Sequence, residues 1–481
     1  MRHGPAILAL VALSLGFFSM AYGIDPPEKM WEETYPEYYS FYWIGRAEDG
    51  GYFLACHPYS YWSEESVCRI SDSGEIIWSA GDSGQYWHAA MDIELLQDSC
   101  LIVAGVSKPL ETGSNGLILY KLSRSGELMW SRLYDYYGYN ESGRSVCTLP
   151  DGGYAVCGRV YGEGLNEGQA WILRTDENGD TLWTDVWGTH TINFAVGVEY
   201  DEENDWIVVL TYGRSDSLIN KGPHLLYYTP EGEYLFGTTY PELYPEWAID
   251  LCRFPDGGYG FVSEYGDGYP PTISGTDYLG DLSWFQSIEG FTNGDAHGID
   301  RAVLDDGCMV TGFAQDSISS RSGGALWPQG ARLVRFDGRG NEMWDIIEGG
   351  FGYQYYAALQ LPQGGYVAVG TCYGDGYLVR YAPETGIEGS VSPGGSGLLR
   401  PVTPNPSSSV FHVSVDLPEA MDVRLEVYDT AGRRVGLLAD DLLPSGEHEL
   451  TWDASGLSSG CYLVRLSVVG VCETRRCVLL R

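Results

Sequence analysis

Basic residues are scarce in this chain: 28 Lys and Arg stand against 66 Asp and Glu, for a net charge of −38. So acidic a surface repels phosphate backbones and anionic lipid, which excludes nucleic-acid binding and leaves room for calcium or a neutral ligand. Residues 400–481 carry eight basic and eleven acidic side chains, so nearly all the excess lies ahead of them. Past the first twenty or so residues no apolar run reaches the length of a membrane-spanning helix. Helical hydrophobic periodicity is equally rare. The sequence has no G-x-S-x-G nucleophile elbow, no H-E-x-x-H pair, no glycine-rich phosphate loop leading into a helix, and no CxxC or His/Cys cluster. Serine-hydrolase, zinc and nucleotide chemistries therefore have no motif to rest on. Calcium has none either. Asp176-Glu177-Asn178-Gly179-Asp180 looks like a calcium loop, but its counterparts Ser123-Arg124-Ser125-Gly126-Glu127 and Thr229-Pro230-Glu231-Gly232-Glu233 lack the ligand series. It reads as a hairpin turn, and no cofactor is expected.

Residues 1–23 read as a secretory signal peptide, with Arg2 at its start, an apolar stretch from Ala6 to Phe18, and the small-x-small site Ala21-Tyr22-Gly23. No Cys follows that site to carry a lipid. Eleven Cys is an odd number for an oxidising compartment, so at least one lacks an intrachain partner. Two pairs face each other across expected hairpins, Cys147 with Cys157 and Cys461 with Cys477. Either these form disulfides or all four stay as small apolar core residues.

What the chain has in abundance is 64 Gly, 36 Tyr and 15 Trp, and they recur in a pattern. A first turn appears at Asp49-Gly50-Gly51-Tyr52, Asp98-Ser99-Cys100, Asp151-Gly152-Gly153-Tyr154, Glu203-Asn204-Asp205-Trp206, Asp256-Gly257-Gly258-Tyr259, Asp306-Gly307-Cys308 and Gln363-Gly364-Gly365-Tyr366. A closing aromatic follows at Trp78, Trp130, Trp183, Phe236, Trp284 and Trp344, each four residues after a Gly. Short runs rich in Val, Ile and aromatics separate these turns. One unit therefore predicts strand, tight turn, strand, loop, strand, tight turn, strand. The seventh unit lacks its closing aromatic, and Met30-Trp31-Glu32-Glu33-Thr34-Tyr35 supplies it from the other end of the chain. The fold expected for residues 24–386 is an all-β, seven-bladed β-propeller of four-stranded blades closed by an N-terminal strand, which leaves no open sheet edge. The pattern resembles repeats of secreted bacterial propeller proteins and quinoprotein-like repeats. In the latter, the closing Trp docks one blade on the next.

Both kinds of tight turn belong on one face of the disc. The opposite face carries the unequal loops, from Cys56 to Glu65, Val106 to Gly116, Arg159 to Gln169, Tyr212 to Pro223, Glu264 to Gly275 and Phe313 to Gly330, and it is where a binding site is expected. Three entries into an innermost strand look alike: Tyr86-Trp87-His88-Ala89-Ala90-Met91-Asp92, Glu246-Trp247-Ala248-Ile249-Asp250 and Asp295-Ala296-His297-Gly298-Ile299-Asp300. Each Asp stands six residues before its first-turn Asp, which predicts one shared level at the mouth of a central channel. Tyr353, Tyr355 and Tyr356 enter by the last blade, and Tyr39, Phe41, Tyr42 and Trp43 by the first. Aromatic faces beside carboxylates suit sugars, the ring stacking on C–H groups while the acid takes hydroxyl hydrogen bonds. The candidate ligand residues are Trp87, His88, Asp92, Trp247, Asp250, His297, Asp300 and Tyr355. Equivalent strand entries in any repeat would also carry polar and aromatic residues for structural reasons alone.

From Gly386 the composition changes. Residues 387–400 read as a Gly/Ser-rich linker, and 401–481 as a small Ig-like β-sandwich with strands Val410 to Leu417, Asp422 to Asp429, His448 to Asp453 and Cys461 to Val468. Asn405-Pro406, Tyr428-Asp429-Thr430-Ala431-Gly432-Arg433, Trp452 and Gly460-Cys461-Tyr462 together resemble the C-terminal sorting domain of the type IX secretion system and the related domain of flagellar hook-capping proteins. Ser407 stands where Phe is usual. That resemblance implies export to the exterior or outer-membrane surface of a Gram-negative bacterium, with the outer-membrane secretion machinery as partner. For the propeller two functions stand side by side. One is a non-catalytic binding or adhesion module for a glycan or protein ligand. The other is a carbohydrate-active hydrolase using paired carboxylates, with Asp250 and Asp300 as the candidates.

Overall fold

The computed structural model describes residues 26–479, apart from 59–64, 83–85, 97, 110–114, 136–139, 163–164, 189–192, 214–221, 244–246, 256, 265–269, 289–295, 315–329, 351, 363, 385–398, 401, 404–406, 408, 418–419, 430–433, 458–459 and 469–470. The expected signal peptide and most of the linker thus lie outside the described residues. Seven four-stranded antiparallel sheets span 38–80, 86–134, 142–187, 193–239, 247–287, 296–348 and 353–381, the last completed by Lys29–Tyr35. That strand pairs with Asp375–Tyr381, with Trp31 opposite Arg380 and Tyr35 opposite Gly376. The innermost strand of each sheet packs on that of the next, and Tyr353–Gln360 packs on Tyr38–Arg46, closing the ring. The core is divided accordingly: each of seven buried clusters joins two adjacent blades. One sets Cys147, Ala155 and Ile172 against Ala195, Ile207 and Val209, and the closing one sets Tyr35, Val367, Val369 and Leu378 against Phe41, Leu54 and Ile70.

The four-residue interval between Gly and closing aromatic has a mechanical cause. Each such Gly turns at positive φ and lies under the closing aromatic of the preceding blade. A Cβ on Gly126 would meet the Trp78 ring at 2.8 Å, one on Gly179 the Trp130 ring at 2.8 Å, and one on Gly232 the Trp183 ring at 2.9 Å. No side chain fits there, and few would accept the backbone angle. Trp31 meets Gly74 in the same way, so the seam where the ends of the chain join repeats the other junctions. Tyr35 and Tyr240 add a hydroxyl hydrogen bond to the carbonyls of Gly74 and Gly280 at 2.7 Å. Where Phe236 replaces Trp, it stacks on Tyr227 at 4.3 Å, and Tyr227 covers Gly280 instead.

On the same face, a buried arginine of the third strand holds a first-turn aspartate: Arg69 with Asp49 at 2.9 Å, Arg174 with Asp151 at 2.6 Å, and Arg335 with Asp305. In the sixth blade the capping residue is thus Asp305, which accepts from the Gly307 amide at 2.8 Å, and not the expected Asp306. Its first turn runs from Ala302 to Gly307, one residue longer than Leu96 to Cys100 in the second blade.

The C-terminal region sets a two-stranded sheet, Val410–Leu417 with Gly446–Asp453, against a four-stranded one of Met421–Asp429, Arg434–Leu443, Gly460–Val468 and Val471–Leu479. Two of these six strands, Arg434–Leu443 and Val471–Leu479, were not expected. Trp452 stacks on Phe411 at 5.0 Å and meets Tyr462 edge-on at 5.4 Å, with Val413, Leu425, Val464 and Leu479 buried around them. Tyr428 donates to Glu426, which also holds Arg434 at 2.8 Å. Of the motif residues, Asn405, Pro406, Gly432 and Arg433, and the side chain of Asp429, lie outside the described residues.

Of the two alternatives for Cys147 and Cys157 the structure takes the second, both thiols being free and buried. Cys147 is opposite Ala155 and Cys157 opposite Ser145, so the two are diagonal rather than direct cross-strand neighbours. In the sandwich, Tyr462 rather than Cys461 stands opposite Cys477, and the Cys461 side chain lies outside the described residues.

Candidate binding site at the channel mouth

Every innermost strand breaks register at the same place. The breaks fall between Phe41 and Trp43, Ala90 and Asp92, Gly143 and Ser145, Ala195 and Gly197, Ala248 and Asp250, Ala296 and Gly298, and Tyr355 and Ala357. A bulge inserts one unpaired residue and re-aims the side chains beside it. The seven inserted residues are Tyr42, Met91, Arg144, Val196, Ile249, His297 and Tyr356, one per blade. They form a ring at one mouth of the channel, on the face of the unequal loops.

The bulge decides where the candidate residues go. Tyr355 falls on the core side: it is fully buried, its hydroxyl bonds that of Tyr381 at 2.8 Å, and it stacks parallel to Tyr377. It cannot reach a mouth ligand, and its neighbour Tyr356 takes that position, 4.9 Å from Tyr42 and 4.6 Å from His297 between ring centres. Burial holds His297 neutral, its pKa lowered to about 4, and its Nε2 has no hydrogen-bond partner among the described residues.

Asp92 and Asp250 each follow a bulge, and both carboxylates act as staples between blades. Asp92 accepts from the Val146 amide of the next blade at 2.8 Å and from Ile93 at 2.8 Å. Asp250 accepts from Ile299 at 3.0 Å and from Leu251 at 2.9 Å. Ser145 makes the same link to Val198 at 3.3 Å. Asp300 does not share this level. The residue equivalent to Asp92 and Asp250 is Gly298, paired with Thr311 as they pair with Ala104 and Val262, and Asp300 lies two residues farther along. The longer first turn of this blade and the count from Asp306 instead of Asp305 each displaced it by one residue. Asp300 still staples to the next blade, through Ala358 at 3.1 Å. Inside the ring, burial raises the pKa of Asp92, of Asp250, where the Asp300 charge adds to it, and of Asp300, which reaches about 7. Farther down the channel Glu94 is pushed up to about 8 and Glu199 to about 7, again chiefly by burial.

Beside the ring a cavity of about 350 Å³ opens between the second and fifth blades, within the usual range for small-ligand sites. Met91, Arg144, Val196 and Ile249 form its floor, with Arg159, Phe194, Tyr212 and Trp247 around it. Trp247, 43% exposed, lies nearly parallel to Tyr212, ring centres 6.4 Å apart. Arg159 packs over Phe194 at 5.3 Å and Tyr161 at 5.5 Å. The site therefore keeps Trp247 and His297 from the sequence-based set, while Trp87 and His88 have side chains outside the described residues. Arg144, Arg159, Phe194 and Tyr212 were missed, because the third blade enters with Ser142-Gly143-Arg144 and lacks the Trp/His and Asp pattern used as a guide. Much of the surrounding loop face, including 110–114, 163–164, 214–221, 265–269 and 315–329, lies outside the described residues.

A closed ring with an open mouth cavity, carried on an appended sandwich, defines the molecule as a propeller joined to an accessory domain. Residues 401–479 match the secretion system C-terminal sorting domain. This type IX sorting tail makes the chain a secreted or outer-membrane surface protein of a Gram-negative bacterium, and implies contact with the type IX machinery. Among the described residues no helix is long and apolar enough to cross a membrane. No curated protein matches the chain in sequence. Among solved structures, the chain is similar to PorZ of Porphyromonas gingivalis, described as an essential bacterial surface component of the type-IX secretion system (13% identity, TM-score 0.45). That match covers 93% of this chain and 60% of PorZ. YCF48 bound to D1 peptide matches at 12% identity and TM-score 0.44, over 78% of this chain and 99% of that one. The alpha-L-arabinanase of Penicillium chrysogenum complexed with arabinobiose matches at 13% identity and TM-score 0.41, over 61% and 92%.

Proposed function

We propose that the propeller is a non-catalytic binding module that holds a carbohydrate at the channel mouth, and that its C-terminal domain delivers it through the type IX route. The exposed Trp247 ring, braced by Tyr212 at the edge of the mouth cavity, carries this reading. An indole left open to solvent beside a concave site is a platform for the C–H face of a sugar, while His297 and Tyr356 offer polar groups from the ring. The reading needs no metal or cofactor. Hydrolysis by Asp250 and Asp300 has less support: each carboxylate is committed to a backbone amide of the next blade, and the two acids do not stand at equivalent levels. The test is a glycan-array screen of the secreted full chain, followed by titration of the hits. Trp247→Ala is expected to weaken binding at least tenfold and His297→Ala by less. Absence of any sugar binding by the native chain would remove the reading.

A further inference from the structure

The proposed binding function leaves the chemistry of the sugar open, and the cavity's charge narrows it. In a chain with 66 acidic and 28 basic residues, the described lining of this cavity contains two guanidinium groups, Arg144 and Arg159, and no carboxylate. Neither arginine has an ion-pair partner among the described residues, in contrast to the arginines of the opposite face. The nearby acid Glu264 is engaged with the Ala296 amide at 3.2 Å. Arg159 is held against Phe194 and Tyr161, which fixes a planar fork of donors at the cavity wall before any ligand arrives. Two guanidinium groups without acid partners among the described residues, one of them braced on aromatic rings, beside an open indole match a ring that carries a carboxylate.

Resting on the carbohydrate reading, we propose that the ligand is an acidic sugar, a uronate oligosaccharide whose carboxylates meet Arg144 and Arg159 while a ring face lies on Trp247. The experiment titrates the full chain, at low and at high salt, with oligogalacturonate, with a neutral oligosaccharide of equal length, and with a short oligoglutamate peptide. Acidic sugar is expected to bind at least tenfold more tightly than neutral sugar, the preference shrinking with salt. Arg159→Gln should remove the preference while thermal stability stays unchanged, and Arg144→Gln should reduce it. Equal binding of neutral sugar would overturn the acidic assignment and leave the carbohydrate reading standing. Tighter binding of the peptide would overturn the choice of a sugar. No binding of either sugar would overturn both readings.

A separate observation carries a second inference. The sulfurs of Cys56 and Cys68, both fully buried on adjacent strands of the first blade, lie 2.7 Å apart, closer than two unbonded thiols can sit comfortably. The chain is exported, and the pair adjoins the seam formed by Tyr35, Tyr38 and Phe41. We infer that Cys56 and Cys68 form a disulfide in the exported protein. Both thiols are oxidised by exchange with an external disulfide, which takes up the two electrons and two protons and leaves as two thiols. Denaturation in alkylating agent followed by peptide mass mapping decides it. A linked peptide two mass units below the sum of its parts is expected, and full alkylation of both cysteines would overturn the inference.

Discussion

The two faces of the disc are built from the same repeat and treat their side chains in opposite ways. On the turn face, charged and aromatic groups are spent on the fold: Arg174 is buried and grips Asp151, and Trp183 covers Gly232 and donates to the Pro230 carbonyl at 2.8 Å. On the mouth face, Trp247 is left open, His297 keeps an unpartnered nitrogen among the described residues, and two arginines stand without acids. The difference teaches that residue type alone does not mark a site in this chain. An arginine or a tryptophan is structural at the tight turns and available at the channel mouth.

The largest effect that would test this division belongs to the turn face. Gly232→Val places a branched side chain at φ of 94° and into a ring 2.9 Å from the new Cβ. Backbone strain and overpacking each cost on the order of 1–3 kcal/mol. Thermal unfolding of the variant is therefore expected to fall by many degrees, or the protein to be recovered aggregated. A variant as stable as the parent would mean that the Gly–Trp junctions do not hold the blades together.

Acids on the two sides of the ring provide the next test, because their shifts have opposite signs. Asp49, held by Arg124 and Arg69, and Asp151, where desolvation is outweighed by the hydrogen bonds and charge of Arg174 together with the Gly153 amide, ionise below the usual carboxylate range. Their contribution is present above the unfolded value near 4 and is lost as the pH falls below it. Glu94, Glu199 and Asp300 have raised values of about 8, 7 and 7. Folding favours their protonated forms, so their contribution is complete below about pH 4 and is lost as the pH rises to about 8, on the order of a few kcal/mol each. The melting temperature should peak near pH 5 and decline toward pH 8. Glu94→Gln with Glu199→Gln should flatten that decline. A flat profile in the parent chain would show that water in the channel screens these acids fully.

How much of this was legible beforehand follows from the same contrast. The ring closure could be read because Trp31 and its Gly74 partner obey the spacing that every junction obeys. The sandwich motif could be read because Trp452 and Tyr462 sit in its core. The bulge could not be read, since alternation assigns faces by parity and one inserted residue reverses it, exchanging Tyr355 for Tyr356 and hiding Arg144. Asp300 was misplaced for a related reason, the extra turn residue before Cys308 and the use of Asp306 in place of Asp305 together shifting by two the count from which its level was inferred.

The smallest expected effect is the one that separates the faces most cleanly. Trp247 is 43% exposed and belongs to none of the seven buried clusters, so its indole shields little of the core. Trp247→Ala should change stability by less than about 0.5 kcal/mol, the range for surface positions free of special contacts. Removing Trp183, which has the same side chain on the turn face, should instead cost a few kcal/mol, since it empties a ring-sized space over Gly232 and removes the hydrogen bond to Pro230. Parallel melts of the two alanine variants, with binding measured on whichever remains folded, compare one residue type in its two roles. If Trp247→Ala proved as damaging to the fold as Trp183→Ala, the indole at the mouth would be a strut like the others, and the cavity would lose its platform.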